Sequence, residues 1–164
     1  MNWPKPDQLI EYYGNPDIND DGLPDPIWER DNIVRIAPPY PMVLAWDTRR
    51  DVSRIAVHKK CEKSLRRILT KIAEEFSAQE RAYHQLDRFG GCYNFRLMRG
   101  SNRLSVHSYG AAIDLAPELN GLGVKYKPNS RMMPMKVVRI FESEGWGWGG
   151  EWHRPDAMHF EAVE

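Results

Sequence analysis

Two glycine-punctuated stretches in the last third of the chain constrain its fold more than any other feature. SVHSYGAAID spans Ser105–Asp114 and WGWGGEWHRPDAMHFE spans Trp146–Glu161. Each supplies an Asp–His pair: His107 and Asp114 lie seven residues apart, Asp156 and His159 three. Gly110 permits a tight turn before the segment bearing Asp114, and Ala111 and Ala112 keep the volume small enough for the backbone to fold back. Asp114 stands in an apolar run, AAIDL, where a carboxylate is costly to bury without a cation or strong donors. Three candidate ligands, His107, Asp114 and His159, plus the spare carboxylate of Asp156 are what a hydrolytic zinc site requires. Three protein ligands leave a position open for water, and the fourth group can take a proton from it. His153 competes as third ligand, but the adjacent Arg154 disfavours a cation there.

The rest of the composition narrows the setting. With 164 residues the chain is expected to form one domain, residues 1–164, able to bury roughly 70% of its unfolded surface. Lys+Arg and Asp+Glu both number 23, so no net field draws it toward nucleic acid or an anionic membrane. No run approaches the ~20 apolar residues of a membrane span, and MNWPKPDQLIEYYGNP has no basic start followed by an apolar stretch. The expectation is a soluble monomer that is cytoplasmic at synthesis. Cys61 and Cys92 fall in no CxxC; a disulfide between them is one reading, and two buried thiols of a reducing compartment the plainer one.

Residues 1–50 are rich in Pro, Asp and Asn and read as an arm that wraps the domain and buries Trp3, Trp28 and Trp46. Leu9–Tyr13 suits one short helix, and Asn32–Ala37 and Met42–Trp46 suit short extended pieces. From His58 to Leu86 the apolar residues Cys61, Leu65, Ile68, Leu69, Ile72 and Phe76 recur at helical spacing, with a break near Phe76–Ser77. The lysines and arginines of that segment read as its solvated face. Gly90–Gly91 is taken to end the helical section, and Cys92–Leu97 and Ile113–Leu115 as strands. Pro134–Glu144 is predicted helical, with Val137, Val138 and Phe141 inward and Gly145 closing it. Ala157–Ala162 alternates as a last strand.

SVHSYGAAID and DAMHFE together resemble the signature of the zinc cell-wall peptidases that include D-alanyl-D-alanine carboxypeptidases and the L-alanyl-D-glutamate endopeptidases of bacteriophage lysins. GCYNFRLMRGS and GWGWGGEW also resemble the short, phage-type branch, and the likeness, over about residues 86–161, implies a zinc-site core there. It implies an α+β fold of the Hedgehog and D-Ala-D-Ala peptidase kind, a small antiparallel sheet flanked by helices. It implies zinc on His107, Asp114 and His159, with Asp156, where many members carry Glu, as general base and acid. Arg96, or Arg99 in its place, would hold a substrate carbonyl or carboxylate. Ser105 and Tyr109 are candidate ligand-orienting or substrate contacts, and Trp146, Trp148 and Trp152 candidate walls of a groove. The partner implied is the peptidoglycan stem peptide, cut at L-alanyl-D-glutamate by an endolysin that reaches the wall after release. The alternatives are a D-alanyl-D-alanine carboxypeptidase, a non-catalytic zinc-stabilised binding domain, or a virion component with a decayed lytic fold.

A second ion is suggested by Asp17, Asn19, Asp21, Gly22 and Asp25, which match the first nine positions of a calcium loop. The twelfth position is Trp28 rather than Glu.

Overall fold

Prolines and short polar runs limit the first sixty residues to brief elements, which the computed structural model, describing residues 2–164, shows in full. Helix α1 covers Leu9–Tyr13, and α2 covers Pro26–Asn32. Asp25 caps α2 by accepting from the Trp28 amide at 2.8 Å, and Pro26 sits where a missing N–H costs nothing. Strands β1 (Ile33–Ile36) and β4 (Ile55–His58) pair antiparallel as a separate two-stranded sheet. Between them lie β2 (Val43–Leu44) and β3 (Asp47–Asp51). Trp3 and Trp28 are buried as expected, but Trp46 is 67% exposed. It lies between β2 and β3 at the end of the larger sheet, where no later element covers it.

The helical segment divides into α3 (Glu62–Glu75) and α4 (Ala78–Tyr83). Ser77 accepts from the Glu80 amide while the Glu80 carboxylate accepts from the Ser77 amide, a reciprocal cap that starts a new helix where the apolar stripe ends. Leu65, Ile68, Leu69 and Ile72 of α3 are fully buried. Helix α5 (Met135–Ser143) packs on α3, and Gly145 closes it at φ +80°. Phe141 of α5 stacks on Phe160 with ring centroids 3.8 Å apart. Burial of one such ring contributes roughly 1.5–3 kcal/mol.

The larger sheet has six strands in the order β3-β2-β5-β6-β8-β7, adding β5 (Arg88–Gly91), β6 (Ala112–Leu115), β7 (Gly147–Trp148) and β8 (His159–Glu161). The fold is α+β, as the resemblance implied, but the sheet is mixed: β2 and β5 run parallel. Two sequence expectations are corrected here. Gly90–Gly91 does not merely end a helix; it belongs to a strand, and a Cβ on Gly90 would lie 2.9 Å from Asp114 Cβ. Glycine is required where β5 passes Asp114. Cys92–Leu97 is not a strand, because its backbone groups are taken by the loop that carries His107. The Asn94 amide donates to the His107 carbonyl at 3.0 Å, and Ser108 Oγ both accepts from the Arg96 amide and donates to the Arg96 carbonyl.

His58, at the end of β4, ties the N-terminal segment to this body. The Tyr13 carbonyl accepts from its Nε2 at 3.0 Å, and its Nδ1 accepts from the Lys60 amide at 3.1 Å, so the ring is neutral with both nitrogens satisfied. Burial pushes its pKa down from 6.5 to about 4. As pH falls from about 6.5 toward 4, the unfolded chain takes up a proton that the folded ring refuses, so stability falls through that window. The loss is on the order of 3 kcal/mol. Denaturant unfolding at pH 7 and pH 4.5 should show a smaller acid loss in His58→Gln than in the parent protein.

Candidate active site

Ser105 begins the construction. Its Oγ accepts from the His107 amide at 3.3 Å and starts a single 3₁₀ turn, Val106–Tyr109, that Gly110 ends in the left-handed region at φ +66°. A Cβ on Gly110 would lie 2.8 Å from the His58 nitrogen, so glycine is needed there for both conformation and space. The turn hands His107 to one side and leads straight into β6. There Asp114 stands directly opposite His159 on β8. Cross-strand partners share one face of a sheet, which brings the two side chains together. His107 and His159 are buried, and Asp114 is largely so.

The donor atoms converge. His107 Nε2 lies 3.2 Å from His159 Nδ1 and 3.3 Å from Asp114 Oδ2, and His159 Nδ1 lies 3.0 Å from Asp114 Oδ1. Tetrahedral zinc with bonds near 2.0–2.1 Å sets its ligands about 3.3 Å apart. The outward nitrogens settle which lone pairs face inward. The Cys92 carbonyl accepts from His107 Nδ1 at 2.8 Å, and the Glu161 carboxylate accepts from His159 Nε2 at 2.9 Å. Both acceptors require a hydrogen on those outer nitrogens, so the neutral rings present bare Nε2 and Nδ1 toward two carboxylate oxygens. Four acceptors aimed at one point suit a cation. Among the described residues these three form the only cluster of His, Cys, Asp or Glu with metal-holding geometry. The residues fit zinc.

With a proton in place of a metal, the same electrostatics act on the ligands themselves. Burial alone would lower His159, but the hydrogen-bonded carboxylates of Asp114 and Glu161 overcome it and raise the ring to about 10. Burial pushes Asp114 up, yet its hydrogen bonds to His107 and His159 hold it well below the usual carboxylate range.

Asp156 occupies the turn before β8. Its amide donates to the Gly149 carbonyl at 2.8 Å, and its carbonyl accepts from the His159 amide at 3.0 Å. A Cβ on Gly149 would lie 2.6 Å from the Asp156 carbonyl oxygen, which gives the GWGWGGEW glycines a local purpose. Asp156 Oδ1 is buried with no hydrogen-bond partner among the described residues. Burial raises the Asp156 pKa, and the Asp114 charge adds to that rise while His159, His107 and Arg99 oppose it. A half-buried carboxylate with an unpartnered oxygen and a raised pKa is suited to accept and return a proton.

A cavity of about 1020 Å³ opens onto this cluster, lined by Asp114, Asp156 and His159 with Ser105, Arg96 and Arg99. Trp152 also lines it, its ring centroid 5.3 Å from that of His159, as do Trp46, Arg154 and Glu161. Two expected substrate contacts are elsewhere. Tyr109 is buried beside Tyr13, with centroids 6.2 Å apart. Trp148 donates from its indole to the Ala157 carbonyl and packs on Tyr126 and Phe160 in the core. Trp146 is likewise interior, donating to Ser64 Oγ. His153 is exposed and outside the cluster. Glu161 was missed from the sequence; its place two residues beyond His159 on an alternating strand was the available signal.

The proposed calcium loop does not assemble into such a cluster. Asp17 accepts from the Asp21 and Gly22 amides, Asp21 from Leu23, and Asp25 caps α2. Asn19 is exposed. The acidic residues work as turn and helix caps.

Two buried imidazoles and a carboxylate beside a cavity with a spare acid form a cluster that could hold one metal ion. Residues 99–162 match the family described as D-alanyl-D-alanine carboxypeptidase, which supports the resemblance drawn from the two motifs. That match includes His107, Asp114, Asp156 and His159 and begins after Arg96. No curated protein and no solved structure gives a significant match to the chain.

Proposed function

We propose that this protein is a zinc-dependent peptidase of the bacterial cell wall, hydrolysing an amide bond of the peptidoglycan stem peptide, in an endolysin role with L-alanyl-D-glutamate as the bond cut. The observation that carries the metallopeptidase reading is the convergence of two bare imidazole nitrogens and the Asp114 carboxylate beside the unpartnered oxygen of Asp156. A purely structural zinc site has no use for that last group. Zinc held there would supply a Lewis acid and an acidified water.

The chain's own residues account for the remaining steps. Asp156 Oδ1 takes the proton of the attacking water and later returns it to the leaving amine. Arg96 and Arg99, on the cavity wall and without an ion-paired carboxylate among the described residues, hold a substrate carbonyl or carboxylate. Trp152 and Trp46 offer apolar walls to the peptide or its attached sugar.

The cavity is at the upper end of the size of small-molecule sites. The endopeptidase reading takes that space to hold peptide on both sides of the reacting amide. The matched family's description favours the second reading, a D-alanyl-D-alanine carboxypeptidase. Mass spectrometry of peptidoglycan digested by the zinc-loaded protein separates the two. New amino-terminal D-Glu is the expected product, released D-Ala identifies the carboxypeptidase, and intact stem peptides would overturn both. Among the described residues no helix is long and apolar enough to cross a membrane.

A further inference from the structure

The Glu161 carboxylate lines the same cavity as the metal cluster but is too engaged with His159 to be a free substrate contact. His159 and Glu161 are two residues apart on β8, so both project from the same face. Their cross-strand neighbours explain why one can lean on the other. Glu161 is opposite Ala112 on β6 and opposite Gly147 on β7, so no side chain beyond a methyl group stands at either flank. A Cβ on Gly147 would come 3.9 Å from Glu161 Cγ, within ordinary contact. The Glu161 side chain is therefore free to run along the strand and accept from His159 Nε2 at 2.9 Å.

We infer that Glu161 is a positioning residue for the metal: it fixes His159 in the tautomer protonated at Nε2, so that Nδ1 is the ligand atom. An imidazole without this partner distributes its proton between two nitrogens and rotates about its side-chain bonds. Zinc then binds only the fraction that presents Nδ1 unprotonated. The charge on Glu161 also makes the ring a stronger donor to the cation. His107 is held differently, by the neutral Cys92 carbonyl, so the two histidines are unequal in their response to mutation. Removing the Glu161 acceptor weakens His159, whereas no side-chain replacement at Cys92 removes the acceptor of His107.

This inference rests on the metal reading above, and zinc affinity measured by competition with a chromophoric chelator tests it. Glu161→Leu should bind zinc about 10- to 100-fold more weakly than the parent protein, the usual effect of losing such an outer partner. Glu161→Gln, whose amide oxygen still accepts from Nε2–H, should recover most of that loss. A merely structural role would not follow that order. Nitrogen NMR of the zinc-loaded parent should show His159 protonated at Nε2 and ligated through Nδ1. Equal zinc affinity in the parent and a folded Glu161→Leu, or ligation through Nε2, overturns the role of Glu161 alone. A parent protein that takes up no zinc overturns the metal reading and this inference with it. If Glu161→Leu does not fold, Glu161→Gln and the NMR assignment decide: affinity near the parent's with Nδ1 ligation supports the role, and Nε2 ligation refutes it.

Discussion

Replacing Asp156 with alanine should leave zinc binding unchanged and lower peptidoglycan hydrolysis by roughly 10²–10⁴-fold, the usual contribution of a positioned acid–base group. Asp156 belongs to the cavity wall but not to the converging ligand set, so its loss removes no donor from the cation. Among the described residues its side chain makes no hydrogen bond through Oδ1, and its place in the turn comes from backbone bonds to Gly149 and His159 that alanine keeps. The fold should therefore tolerate the change. Zinc content by atomic emission and clearing of a cell-wall suspension, measured on the same preparation, check both halves. Full lytic activity in Asp156→Ala would remove its assigned role and leave the cation without a proton acceptor.

His159→Ala should lose both metal and activity. This substitution removes one of three ligands and leaves Asp114 with only His107 as a partner. Zinc affinity should fall by more than the ~10–100-fold expected for an outer partner such as Glu161. Because bound metal stabilises only the folded chain, zinc at a thousand times its Kd adds about 4 kcal/mol to the parent protein. Chelator should thus lower the thermal midpoint of the parent and leave that of His159→Ala unmoved. A His159→Ala protein that retains zinc with parental affinity would show that the cation is held elsewhere.

The converging residues were legible before the fold because they sit in local contexts that a solvated residue would not need: a carboxylate in AAIDL, a histidine before a glycine turn. The 3.6-residue pattern likewise placed α3 and α5, whose apolar faces are long enough to register. Short strands carry too few residues for that. β2 and β7 have two each, and β5 contains the glycines that read as a break. Gly90 is not a punctuation mark but a concession to Asp114, a residue distant in sequence. The tryptophans show the same limit. Trp146, Trp148 and Trp152 occur within seven positions, yet two are interior and only the third reaches the cavity. Composition cannot separate them, because every one is large and apolar. The acidic turn at Asp17–Asp25 satisfies a calcium pattern, and its Asp17, Asp21 and Asp25 carboxylates accept from backbone amides.

Residue types and local spacing determine which donors this chain can offer a cation: two imidazoles, one carboxylate, and a second acid three residues ahead of the last ligand. Tertiary structure decides that they meet and how each ring is oriented. The antiparallel register sets Asp114 across from His159, and the Cys92 carbonyl and Glu161 carboxylate choose which nitrogen of each histidine stays bare. Those choices depend on hydrogen bonds between segments separated in the chain, and local patterning carries no information about partners that only folding brings within reach.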